Sequence, residues 1–70
     1  MLRIGQKVEF ETRMVKGTGT IKILPSPDRA IVLTCCAYEK HTGVMGNEYL
    51  GRLLGNHNLS VDVWNIKEAK

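Results

Sequence analysis

Residues 7–24 alternate apolar and charged side chains on both sides of a glycine-rich break. The first arm reads Lys7-Val8-Glu9-Phe10-Glu11-Thr12-Arg13-Met14 and the second Thr20-Ile21-Lys22-Ile23-Leu24. Successive side chains of a strand point to opposite faces, so a period of two demands a β-hairpin with one dry face and one wet face. Strand one is expected over residues 6–15, with Val8, Phe10, Thr12 and Met14 inward and Lys7, Glu9, Glu11 and Arg13 outward. Glycine reaches positive φ without a steric penalty, which places the corner at Lys16-Gly17-Thr18-Gly19. Strand two then covers residues 18–24, with Ile21 and Ile23 inward. Pro25-Ser26-Pro27-Asp28 stops it, because proline cannot donate to a ladder.

The next segment, Ala30-Ile31-Val32-Leu33-Thr34-Cys35-Cys36-Ala37, is apolar at every position but one. That pattern predicts a third strand over residues 29–40, buried on both faces as in a curled sheet. The β-branched Ile31, Val32 and Thr34 favour a strand over a short buried helix. Residues 41–58 are punctuated by Gly43, Gly46, Gly51 and Gly55 and admit two readings. One is a short helix capped by Asn47 and closed by Gly55. The other, preferred because Gly55-Asn56 leads directly into another alternating run, is a fourth strand over residues 48–54. Leu59, Val61 and Val63 define the last strand, and the apolar phase then slips to Trp64 and Ile66. A slip of that kind needs a bulge or a single helical turn. Residues 67–70 are expected to fray.

These elements predict an all-β fold in one domain over residues 1–70, a small five-stranded, partly open barrel. Closure removes the exposed edges that invite pairing with other chains. The helical turn expected before the last strand favours an SH3-like arrangement. A helix at about 47–54 would favour an OB-like barrel instead. Seventy residues bury only about 60% of the unfolded surface, so such a core is marginal and chains of this size often oligomerise.

The two cysteines, Cys35 and Cys36, are adjacent and close no loop, which excludes a disulfide framework and points to a reducing compartment. No secretory signal or apolar span long enough for a membrane is visible, so a soluble, cytoplasmic protein is expected. The net charge of +3 and the pI of about 9.1 permit nucleic-acid binding without requiring it.

Residues that could carry chemistry are few. Cys35, Cys36, His41 and His57 lack the paired spacing of a structural zinc site, and one cysteine is expected to pack as a small buried hydrophobe. A Cys–His nucleophile pair would need an electropositive, partly exposed setting, which the apolar Leu33 to Ala37 run does not offer. Glu9 and Glu11 share a strand face but lie beside Lys7 and Arg13 on the wet side, away from a pocket that could shift a pKa. Lys16-Gly17-Thr18-Gly19-Thr20 lacks the spacing and following helix of a phosphate loop. No catalytic residue, metal or cofactor is therefore assigned.

The expectation is a non-enzymatic protein-interaction module, an accessory or inhibitory factor of the phage or mobile-element type that binds a larger partner or self-associates. Its candidate surface is Val32, Cys36, Tyr38, Tyr49 and Trp64, with Trp64 read first as a core or interface residue. The alternative is a nucleic-acid-binding barrel of low sequence specificity, with Lys16, Lys22, Lys40, Arg52 and Lys67 contacting phosphates. An enzyme with a site shared between subunits is the least favoured reading. No membrane partner is expected.

Overall fold

The structure, a computed structural model, describes residues 2–69. Met1 and Lys70 lie outside the described residues. Six antiparallel strands follow one another: β1 (Lys7–Glu11), β2 (Val15–Ser26), β3 (Arg29–Thr42), β4 (Glu48–Leu54), β5 (Asn58–Asp62) and β6 (Ile66–Glu68), with a 3-10 turn over Val63–Asn65. They form one sheet in the order β4-β3-β2-β1-β6, with β5 also beside β3. The all-β class expected from the sequence is the one observed. The sheet has six strands rather than five and does not close into a barrel.

The β3 strand determines this shape. Along one edge it pairs with β2, and along the other it serves two partners in turn, β5 from Arg29 to Leu33 and β4 from Ala37 to Thr42. The sheet thus forks into a compact body and a projecting arm, with overall extents of 38 × 22 × 21 Å. The core lies in the body and consists of Val8, Phe10, Ile21, Ala30, Val32, Ala37 and Val61. Leu2, Val15, Leu24, Leu54, Leu59 and Ile66 pack around it. Each fully buried Val, Ile or Phe contributes about 1.5–3 kcal/mol.

The glycine break is not the hairpin corner. The chain turns earlier, at residues 12–14, around the Thr12 hydroxyl, which accepts hydrogen bonds from the amides of Met14 (3.3 Å) and Val15 (3.1 Å). The Thr12 amide donates to the Val15 carbonyl at 2.8 Å. A threonine hydroxyl can organise a turn in this way without any glycine. Met14, expected inside, therefore sits exposed at the turn, and Ile23 is exposed beyond a register shift between Ile21 and Ile23. Gly17 and Gly19 lie in the first half of β2, without positive φ; among the described residues only Gly5 and Gly46 have positive φ. A Cβ at Gly17 would overlap the backbone of Cys36 and Ala37, and one at Gly19 would overlap Leu33 and Val32. These glycines allow β2 to press against β3.

Opposite them β3 changes phase. Thr18 pairs with Cys36 and Gly19 with Thr34, so β3 carries one extra residue, Cys35. Ala30, Val32 and Thr34 point inward before this bulge and Ala37 after it, while both cysteines are exposed and free. Two expectations are thereby corrected. Strand three is buried on one face only, and neither cysteine is a buried hydrophobe, because the bulge turns both away from the core.

At the fork, the buried Thr34 pins the turn between β4 and β5. Its hydroxyl donates to the Gly55 carbonyl (2.7 Å) and accepts from the His57 amide (2.9 Å). The Thr34 amide donates to the His57 carbonyl at 2.8 Å. Residues 48–54 are the β4 strand, not the short helix of the OB-like reading. The loop before them closes through Gly43 N–H to the Asn47 carbonyl (2.7 Å), with Gly46 at φ 79°. The phase slip after Val63 is realised as the 3-10 turn, which lets β6 return to pair with β1. Lys67 and Glu68 belong to that strand, so the frayed end expected there is not observed for them.

Candidate interaction surface

Directly paired residues of an antiparallel sheet share a face, and the registers assemble two rows on the face opposite the core. One runs Glu11, Lys16, Tyr38 and Leu53 across β1, β2, β3 and β4. The other runs Lys67, Glu9, Thr18 and Cys36 across β6, β1, β2 and β3. At a strand spacing of about 4.8 Å, a four-residue row spans about 14 Å. Lys40 and Leu50, another direct pair, extend this outer face along the arm.

A groove of about 530 Å³ crosses these rows, lined by Glu9, Glu11, Lys16, Thr18, Trp64 and Lys67 among others. The 3-10 turn carries Trp64 at its rim, 70% exposed. Of the two placements expected for Trp64, core or interface, the core is not the one observed. Alternation from Leu59 and Val61, which pair with the buried Val32 and Ala30, already points residue 64 outward, and the 3-10 turn at 63–65 leaves it exposed.

Lys40 is the best-anchored charge on this face, with a side chain only 15% exposed. Its Nζ donates to Glu11 Oε2 (2.8 Å) and to the Thr12 carbonyl (3.0 Å), and lies 3.8 Å from Glu48 Oε2. One ammonium thus ties β3 to the β1–β2 turn and to β4. The hydrogen bond from Lys40 holds the Glu11 carboxyl below its ordinary value, helped by the charges of Lys40, Lys16 and, more weakly, Lys67. The same hydrogen bond raises the Lys40 ammonium above its ordinary value, with desolvation opposing it.

The residues named from the sequence are distributed as follows. Tyr38 stands in the first outer row, Cys36 in the second, and Trp64 at the groove. Tyr49 lies on the other face of the arm, opposite His41, with ring centroids 5.4 Å apart. Val32 is fully buried in the core and offers no surface, because it precedes the bulge in inward phase. Of the five phosphate-contact candidates, Lys16, Lys40 and Lys67 act on the Glu11 carboxylate, and Lys16 and Lys67 are exposed. Lys22 lies six residues beyond Lys16 along β2, about 20 Å at the rise of a strand, and the exposed Arg52 lies on β4.

Leu50 and Leu53, not singled out from the sequence, belong to the outer face. The β4 strand has a bulge, so Leu53 pairs with Tyr38 and Leu50 with Lys40 although they are three residues apart. Alternation alone would place them on opposite faces. His41 lies five residues beyond Cys36 and on the other side of the arm, about 17 Å away along an extended strand, so no Cys–His pair forms. Among the described residues, no group of three or more His, Cys, Asp and Glu is placed to hold a metal ion. No helix of the described residues is long and apolar enough to cross a membrane. No family model, curated protein or solved structure matches this chain.

Proposed function

We propose that this chain is a non-enzymatic protein-interaction module that lays an extended segment of a partner across its outer face. Trp64 holds one end of the segment and Tyr38 with Leu53 the other. The observation that carries this reading is the row from the Trp64 groove through Glu11 and Lys16 to Tyr38 and Leu53. Its apolar anchors are exposed, and its charges are of both signs. Aromatic anchors flanked by paired charges suit a polypeptide. A phosphate backbone would instead require cations free of carboxylates, and here Glu9 and Glu11 stand among the lysines. The 3-10 turn before β6 and the return of β6 to β1 support the SH3-like arrangement as the finer description of the fold. The free cysteines suit a cytoplasmic setting. An accessory or inhibitory factor acting by occlusion is the role such a module fits.

Panning a displayed library of random peptides against the wild-type chain tests this, with Trp64→Ala as counter-selection. Enriched peptides are expected to lose about 10-fold or more in affinity on Trp64→Ala and on Leu53→Glu, a loss of about 1.4 kcal/mol. Peptides that bind both variants like wild type would refute the surface. A shift in molar mass on adding single-stranded DNA or RNA at low salt, reversed by added salt, would replace this reading with nucleic-acid binding.

A further inference from the structure

The β4 strand ends the sheet on its side, so one of its two edges has no partner strand among the described residues. It contains no proline and no buried residue, and it exposes Tyr49, Leu50 and Leu53. Sheets ordinarily protect such an edge with charge, proline or a covering segment, because a row of unpaired amides and carbonyls templates another strand. Here the only charges on the strand are Glu48 near its start and Arg52 near its end.

We infer that β4 pairs antiparallel with β4 of a second copy, making the chain a symmetric dimer with one sheet continuous across both subunits. Three observations select a second copy as the occupant. The first is charge. Antiparallel pairing brings the Glu48 end of each strand to the Arg52 end of the other, whereas parallel pairing would stack like on like. The second is the β4 bulge, which collects Leu50 and Leu53 on one face. Pairing brings four leucines together there, beside Tyr38 of each copy. The third is burial. The arm contributes little to the core, and the seven buried hydrophobic side chains among the described residues make a small core of the kind whose missing stability oligomerisation supplies. A two-fold axis is the symmetry that closes this contact without propagating it. The inference does not depend on whether the Trp64 groove binds a peptide.

Sedimentation equilibrium of the full chain over a concentration series tests it. The wild type is expected at twice the chain mass of 7.8 kDa. Leu50→Lys, which sets two like charges near the axis, and the single reversals Glu48→Lys and Arg52→Glu are each expected to weaken the dimer by about 10-fold or more. The double reversal, Glu48→Lys with Arg52→Glu, restores opposite charges and is expected to recover wild-type association within a few-fold. It does so without restoring the Lys40–Glu48 contact, so recovery separates pairing between copies from stability within one copy. Circular dichroism checks that each variant is folded. A wild-type chain that stays at monomer mass at about 1 mM overturns the inference. So does a dimer that Leu50→Lys and the single reversals leave intact, or a mass that grows without limit.

Discussion

Thr34 is a buried polar residue of the core, and its hydroxyl both gives and receives a hydrogen bond at the fork. Thr34→Val keeps the shape but removes the oxygen, leaving the His57 amide and the Gly55 carbonyl without this partner. The expected cost is about 2 kcal/mol, read as a lower urea midpoint with unchanged slope, while Thr34→Ser stays within about 1 kcal/mol of wild type. Equal midpoints for Thr34→Val and wild type would show that water replaces the hydroxyl. In the sequence Thr34 reads only as another β-branched strand residue. Its partners lie 21 and 23 residues away, and no local pattern encodes them. Cys35 and Cys36 hide their placement for a related reason. An apolar run does not show where a bulge interrupts its alternation, and one extra residue turned both thiols outward.

Among the elements, β2 shows most clearly what composition conceals. Glycine serves two purposes, positive φ at turns and close approach of two backbones, and both leave the same letters in the chain. Gly17-Thr18-Gly19 serves the second purpose, while the turn is made by Thr12. Gly17→Ala is accordingly expected to destabilise by about 1–3 kcal/mol, because the added methyl meets the backbone of β3. Gly55→Ala, where the methyl meets open space, is expected to change stability by less than about 0.5 kcal/mol. Thermal melts of the two variants check this, and equal melting temperatures would contradict the packing role. Other elements were legible. The period of two placed Val8, Phe10 and Ile21 inward, and the slip from Val63 to Trp64 announced the helical turn. The outward position of Trp64 agrees with the phase of Leu59 and Val61, which face inward two residues apart.

At the scale of the whole molecule, body and arm differ in what holds them. The body contains the buried side chains of β1, β2, β3 and β5, whereas β4 has none. Native-state hydrogen exchange is therefore expected to open the β4 amides at least about 100-fold faster than those of Ile21, Val32 and Val61 at concentrations where the chain is monomeric. Uniform protection would show that body and arm open as one unit. The all-β class and most strand positions could be read from the alternation, but the fork could not, because it depends on β3 changing partners along one edge. That fork bears on how the chain can vary. Past Ala37 the arm rests on strand pairing and on Lys40, and its tip carries the fully exposed Val44. Inserting residues two at a time on each side of that tip preserves the inward and outward phase of both strands. Each such step lengthens the arm by about 7 Å and leaves the core untouched, so descendants of this chain can change their span while keeping the same folded body.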